Sequence, residues 1–341
     1  MFKKITLKDK YLYYKYIDKN KFLSCEYSFS TLFMWKEFNN IEYDILNDIF
    51  IIKKYDNNNG NFFMEPLGEI DDSDLINLIN HLELIRKEEE RKWLFGDVSI
   101  GFLNRLKGIY KEDLIFEEEK NNFDYVYDFN DLINLSGRKF RKKRNKYNQF
   151  IKNYNYKTEF FKSFLDNKEK KECLEFLDKW YLENKQKDDE FLAEINGTRN
   201  LINYLEELDL DLIKLYVDNK LIGISIGERF NDSTYIVHVE KCLKEFNGAY
   251  AFINNSLLKN SFLDLKYVNR EEDLGVLGLR KSKMSYNPKF LERKYLVKIK
   301  WDFYSHFILI FYGYFYSFKF ILFFKSIEWS FSHIYRFVYI I

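Results

Sequence analysis

Apolar side chains recur at helical spacing in some stretches of the chain and in short runs typical of strands in others. Over residues 71–92, leucines and isoleucines fall three or four positions apart, which predicts an amphipathic helix. The same spacing predicts helices over residues 168–186 and 198–208. Residues 212–240 contain three apolar runs separated by Asn/Asp pairs, which predicts an antiparallel meander of three strands.

These elements fall into two units of similar content. A first mixture of strands and helices ends near residue 122, and a second one starts near residue 125. We therefore predict an α+β protein with an N-terminal domain over residues 1–124 and a C-terminal domain over residues 125–300. Because both units carry the same kinds of element, a tandem pair of related domains is expected.

Composition excludes several classes of protein. The 341 residues carry 54 Lys and Arg against 53 Asp and Glu, so a polycationic nucleic-acid coat and an acidic tail protein are both excluded. Three cysteines without CxxC spacing indicate a reducing cytoplasm, and two histidines before residue 301 are too few for a histidine-based metal cluster. No metal and no N-terminal signal are expected.

A predicted strand, loop and helix over residues 234–259 form the first candidate site. Alternation along the strand puts His238 and Glu240 on one face, and the loop supplies backbone N–H groups at a helix N-terminus, where phosphate binds well. We take Asn247, Gly248 and Tyr250 as candidate substrate- or phosphate-binding residues. The alternative is an ordinary connection in which Gly248 only supplies backbone freedom.

A second candidate site follows the predicted strand over residues 263–269. Carboxylates and a guanidinium at its end are followed by cations, so an ammonium-bearing and a phosphate-bearing substrate can be held between the two runs. The alternative is solvated surface charge. The candidate residues are Asn269, Arg270, Glu272, Asp273, Arg280 and Lys283.

A basic helix is predicted over residues 135–154. Its cations are concentrated enough to attract the phosphates of tRNA or of an anionic lipid, although a solvated helix face is the alternative. The residues assigned to anion binding are Arg138, Arg141, Lys142 and Arg144.

Several segments of the chain together resemble a known family. They are residues 25–35 (CEYSFSTLFMW), 63–68 (FMEPLG), 137–145 (GRKFRKKRN), 238–240 (HVE), 247–250 (NGAY), 269–275 (NREEDLG) and 279–283 (LRKSK). In this order and spacing they resemble the phosphatidylglycerol lysyltransferase C-terminal domain family, over about residues 3–297.

The resemblance implies a fold of two tandem GNAT-like domains and an acyltransferase activity. It implies transfer of an aminoacyl group from aminoacyl-tRNA to a phosphatidylglycerol-like lipid, or to an amine or hydroxyl acceptor. Glu240 or Glu272 would act as the base, with His238 as an alternative, while Arg280 or Lys283 would hold a phosphate. Lipid-modifying members carry a multi-span membrane region ahead of this domain, which this sequence does not contain, so the acceptor stays open.

Three further expectations follow. No bound cofactor is required, although an acyl-CoA donor is an alternative to aminoacyl-tRNA, and so is a non-catalytic module that binds tRNA or anionic lipid. Aromatic residues, 20% of the chain, are concentrated after residue 300, so residues 301–341 form an aromatic tail that is either a membrane segment or an atypical extension. We expect a cytoplasmic protein, with peripheral contact or anchoring at the inner face of the membrane as a further option.

Overall fold

A computed structural model describes residues 1–184, 188–261 and 265–300. Met1–Lys298 form one compact unit with two seven-stranded sheets. The strands, in chain order, are β1 (Lys3–Lys4), β2 (Glu42–Leu46), β3 (Ile49–Asp56), β4 (Gly60–Phe63), β5 (Phe95–Val98), β6 (Leu114–Glu118), β7 (Asp124–Asp128), β8 (Tyr156–Lys162), β9 (Asp211–Val217), β10 (Lys220–Arg229), β11 (Thr234–Cys242), β12 (Tyr267–Asn269), β13 (Phe290–Glu292) and β14 (Tyr295–Ile299).

Helices flank both sheets, and several begin at side-chain caps that the sequence provides. Ser28, Asp71, Ser99 and Asp128 each accept backbone N–H groups from the first turn of the helix that follows them. The helices are α1 (Lys10–Tyr13), α2 (Phe29–Trp35), α3 (Asp72–Glu88), α4 (Ile100–Tyr110), α5 (Phe129–Asn134), α6 (Arg141–Asn153), α7 (Asn167–Asn184), α8 (Asp189–Asn203), α9 (Leu205–Leu208), α10 (Ala249–Asn260) and α11 (Leu277–Met284). None of the helices in the described ranges is both long and apolar enough to cross a bilayer.

The two sheets have the same internal order. The first reads β1-β2-β3-β4-β5-β14-β6 and the second, taken from its other end, reads β8-β9-β10-β11-β12-β7-β13. Each starts with four antiparallel strands, which are followed by a parallel pair, β4 with β5 and β11 with β12. In each sheet the sixth strand is antiparallel to the fifth.

The sixth strands are exchanged between the two sheets. After β6 the chain crosses into the second sheet with β7, and after β13 it returns to the first sheet with β14. Leu94 donates its backbone N–H to Val297 across this junction, at 3.0 Å. The α+β fold class, with two mixed sheets flanked by helices, is therefore confirmed. The division into domains at residue 124 stays a prediction.

Local patterns predicted the middle of most elements better than their ends. The meander is present as β9, β10 and β11, and the helix predicted over residues 71–92 is α3. The basic helix starts at Arg141 instead of residue 135, because Leu135, with a φ of 47°, ends the separate helix α5. The predicted aromatic tail, residues 301–341, lies outside the described residues.

Candidate functional site

A small cleft of about 90 Å³ is lined by residues from both halves of the chain. Glu26, Lys54 and Trp35 come from the first half, and Glu190 and Glu272 come from the second. The cleft therefore combines carboxylates, an ammonium group and an aromatic ring.

Two of the residues that line the cleft, Glu26 and Lys54, belong to a network of buried ion pairs. Lys54 Nζ lies 2.6 Å from Glu26 and 2.8 Å from Asp97, and these three side chains are all almost inaccessible to solvent. Lys294 Nζ lies 2.9 Å from Glu26 and 2.8 Å from Asp124. Asp124 is the first residue of β7 and Lys294 directly precedes β14, so this pair joins the two points at which the chain changes sheet.

Glu272 completes the network from the loop after β12. Its Oε2 lies 3.6 Å from Lys294 Nζ, and 3.5 Å from the Cys25 thiol. Burial raises the pKa of Glu272 to about 7; the Lys294 ammonium opposes this effect, and the neighbouring carboxylates of Glu26 and Asp124 add to it. Glu272 can therefore accept or release a proton near neutral pH.

The pKa of Glu26 is shifted in the opposite direction, below its usual value. Burial alone would raise its pKa, but Lys294 and Lys54 together lower the pKa of Glu26 to about 2. Two neighbouring carboxyls in one cleft thus have widely separated pKa values, a pattern found where one group must stay charged while the other transfers protons.

Cys25, Glu26 and Glu272 lie close enough together to ligate a cation. The Lys294 ammonium already contacts all three, at 3.9 Å from the Cys25 sulfur. Burial also raises the pKa of the Cys25 thiol well above its usual value, so a protonated thiol is expected there. This arrangement favours a lysine-centred ion network over a metal site.

His238 lies at a β-bulge, and both nitrogens of its ring have carboxylate partners. The register of β10 and β11 shifts at this residue, which directs its ring at carboxylates from two elements. Its Nε2 is 3.1 Å from Glu228 and its Nδ1 is 2.8 Å from Glu271. Burial lowers the pKa of His238, but these two carboxylates overcome that effect and raise it to about 9. His238 is therefore a charged group at neutral pH, with both N–H groups donated.

Glu240 belongs to a different cluster. It pairs with the guanidinium of Arg270, which packs 4.5 Å from the centre of the Tyr286 ring. One oxygen of Glu240 and two nitrogens of Arg270 are buried without a hydrogen-bond partner among the described residues. Of the three predicted catalytic residues, Glu272 lines the cleft, whereas His238 and Glu240 stand outside its lining.

Four other predicted residues fix the loop that carries Glu272. Asn269 Nδ2 donates to Asp124 at 2.7 Å, and Lys283 Nζ donates to the Glu272 carbonyl at 2.5 Å. Arg280 binds Asp273 through two parallel hydrogen bonds of 2.8 Å each. The side chains predicted to bind substrate thus hold the backbone of the loop in place.

The loop before α10 is packed against the basic helix. Gly248 has a φ of 91°, and a Cβ there would lie 2.3 Å from the carbonyl oxygen of Lys146 in α6. The backbone N–H of Asn247 donates to the Tyr154 hydroxyl at 3.2 Å. The close approach of α6 accounts for the glycine, and Tyr250 in the first turn of α10 is half-exposed.

The predicted anion-binding residues lie on and before α6. Arg138, Arg141 and Lys142 are exposed, and residues 132–158 contain no Asp or Glu. Arg144 differs, because its guanidinium donates to the Gly137 carbonyl at 3.1 Å and closes the turn before the helix.

Most of the buried network is not predictable from local sequence patterns. Glu26, Lys54, Asp97 and Lys294 are far apart in the chain, and only the tertiary fold brings them together. One local signal was available, because Asp97 interrupts the apolar run over residues 93–98, and a lone acid in a buried strand requires a cationic partner.

The fold and the cleft define a two-sheet α+β protein with a charged cleft lined by residues from both halves of the chain. The sequence profile described as phosphatidylglycerol lysyltransferase, C-terminal, matches residues 20–298. The chain belongs to this family.

Solved structures agree with this assignment at the level of the fold. A conserved protein of unknown function from Bacteroides thetaiotaomicron is 30% identical, with a TM-score of 0.79 over 88% of this chain and 99% of that one. The L-PGS structure from Bacillus licheniformis is 13% identical, with a TM-score of 0.54 over 82% of this chain and 89% of that one. An uncharacterised protein from Mycoplasmoides gallisepticum is 27% identical over 58% of this chain, and the match spans 62% of that protein.

Proposed function

We propose that this protein transfers an aminoacyl group from aminoacyl-tRNA to a hydroxyl group of a phosphatidylglycerol-like lipid. The observation that carries the proposal is the position of Glu272, a carboxyl with a pKa of about 7 that lines a cleft between the two halves. Membership of the phosphatidylglycerol lysyltransferase family supports the same class of reaction.

The reaction is an exchange of esters and needs no further reactant. The acceptor hydroxyl loses its proton to Glu272 while its oxygen attacks the aminoacyl carbonyl carbon. The tetrahedral intermediate then collapses, the bond to the tRNA ribose oxygen breaks, and that oxygen takes the proton back from Glu272. Glu26 stays ionised because Lys54 and Lys294 pair with it, and its negative charge helps to keep the pKa of Glu272 near 7.

The basic segment supports a tRNA donor. Arg138, Arg141 and Lys142 offer exposed cations without neighbouring acids in sequence, which suits the phosphates of a nucleic acid. Acyl-CoA is the alternative donor. Two backbone amides of the loop before α10 are already used, Asn247 by the Tyr154 hydroxyl and Ala249 by the Phe246 carbonyl at 3.2 Å, which favours tRNA over CoA.

Radiolabelled lysyl- or alanyl-tRNA, incubated with phosphatidylglycerol vesicles and the full chain, tests the proposal. Label should appear in the lipid extract, and the rate should rise with pH through about 7 as Glu272 ionises. Glu272→Gln should abolish transfer, whereas Glu245→Gln, an exposed carboxyl on the surface, should leave it unchanged.

Two results would contradict the proposal. Turnover with acetyl-CoA and an amine, but not with aminoacyl-tRNA, would show that the donor is an acyl-CoA. No turnover with either donor, together with salt-dependent tRNA binding, would favour a non-catalytic binding module.

A further inference from the structure

Helix α11 and the turn before it expose a row of aliphatic side chains. This apolar ridge consists of Leu274, Val276, Leu277, Leu279 and Met284, and each of the five is exposed. No residue of α11 is buried. A helix on the surface of a globular protein normally turns its apolar side chains towards the core, so this orientation needs an explanation.

Charged side chains, not apolar ones, attach α11 to the protein. Arg280 binds Asp273 and donates to Asn121 at 2.9 Å, while Lys283 donates its Nζ to the backbone carbonyl of Glu272. The usual arrangement is thus reversed, because two charged side chains, Arg280 and Lys283, bind the protein while the aliphatic groups face outward. The attachment fixes the ridge in its exposed position.

The segment that carries the ridge has cations but no acids in its sequence. Residues 274–291 contain no Asp or Glu, and Lys281 is exposed among the ridge residues. The acid-free segment over residues 132–158 is adjacent, because Asn287 Nδ2 donates to the Lys139 carbonyl at 3.2 Å. Aliphatic side chains bordered by cations match the chemistry of an anionic membrane surface.

We propose that the apolar ridge docks onto an anionic lipid bilayer. A second copy of the chain fits less well, because a symmetric contact would place the cationic border against itself. Nucleic acid also fits less well, because the ridge offers aliphatic groups where bases stack on aromatic rings. Leu274 belongs both to the ridge and to the lining of the cleft, so docking places the cleft beside the lipid headgroups.

Flotation of the full chain with phosphatidylcholine vesicles, with and without phosphatidylglycerol, tests the docking without any donor. It therefore succeeds or fails separately from the transfer reaction. Leu277→Ser should lower the partition coefficient roughly tenfold or more, from the apolar area of one leucine. Lys281→Ala should lower it roughly fivefold, and only when the vesicles contain phosphatidylglycerol.

The chain offers a matched control. Leu182 in α7 is 73% exposed, close to the 77% of Leu277, so Leu182→Ser should bind vesicles like the wild type. Equal binding by the wild type and Leu277→Ser, or no binding of the wild type to phosphatidylglycerol vesicles, would overturn the proposal.

A polarity-sensitive dye gives a second measurement that is independent of affinity. The three native cysteines are buried, so the thiol introduced by Leu277→Cys can be labelled selectively, as can that of Leu182→Cys. Vesicles should shift the emission of the dye at position 277 to shorter wavelength and leave the dye at 182 unchanged. If the dye at position 277 already reports an apolar environment before vesicles are added, the ridge is covered by residues 301–341 or by a second copy of the chain. That result would refute membrane docking.

Discussion

Replacement of Lys294 by methionine tests the central ion network most directly. Met keeps much of the length of the side chain but removes the charge that contacts Glu26, Asp124 and Glu272. The change leaves three buried carboxyls with Lys54 as the remaining cation near Glu26. We expect a large loss of stability at pH 7.

The distances set the size of this effect. At an effective dielectric of about 20, the 2.8 Å contact between Lys294 and Asp124 contributes about 6 kcal/mol before the cost of desolvation. Buried pairs from which one partner is removed typically lose about 3 to 5 kcal/mol of net stability. Because domains of this kind are stable by only about 5 to 15 kcal/mol, the variant should be marginal.

Urea denaturation, followed by tryptophan fluorescence, measures the free energy of unfolding. The matched control is Lys220→Met, which breaks an exposed pair with Glu245 at the same 2.8 Å and should change the free energy of unfolding very little, because solvent screens that pair. Repeating the measurement at pH 5 separates charge from packing. Buried carboxyls that have lost their cation have raised pKa values, so they take up protons as the pH falls. The loss of stability caused by Lys294→Met should therefore be smaller at pH 5 than at pH 7. A loss at Lys294 below about 1 kcal/mol at pH 7, or one that does not depend on pH, would refute this reasoning.

Three further changes have defined outcomes. Because the pKa of His238 is raised from 6.5 to about 9 in the folded state, its contribution of roughly 3 kcal/mol should be complete below pH 6.5 and disappear as the pH rises through 9. Denaturation between pH 6 and pH 10 should show this slope in the wild type and lose it in His238→Gln. Gly248→Ala should destabilise the protein by about 1 to 3 kcal/mol, because the new Cβ meets a backbone carbonyl at a positive φ, while Gly278→Ala, with open space, should be neutral or stabilising. Replacement of Arg141 and Lys142 by alanine should weaken tRNA binding and lower its dependence on the logarithm of salt concentration by roughly 1 for each residue; an unchanged slope would remove them from the interface.

Local periodicity predicted the helices and the meander because those patterns depend on neighbours in sequence. Alternation and turn pairs identified β9, β10 and β11, and the three- and four-residue spacing identified α3. The exchange of β7 and β14 was not predictable in the same way. A short strand such as Tyr295–Ile299 carries no information about which of two sheets it joins, since both offer the same parallel pair and the same open position.

The residues of the candidate site also differ in how far local sequence patterns could predict them. Glu272 could be named as a candidate because charged residues at the end of a strand stand out, even in one sequence, and its role stays a prediction. Its partners Glu26 and Lys294 are separated by 268 residues, and their ion pair exists only after both halves have folded. The bulge at His238 was also missed, because alternation alone assigns that ring to the same face as Glu240.

The exchanged strand has a consequence for the order in which the protein folds during synthesis. The first sheet has β5 in place once residue 98 has left the ribosome, but its sixth strand begins at residue 295. At about 5 to 20 residues per second, the ribosome needs roughly 10 to 40 seconds to make the chain between them. During that interval the edge of β5 lacks its neighbour and offers unpaired backbone groups to other chains. We therefore expect the nascent first half to depend on chaperones more than the second half, which receives all of its strands before residue 293.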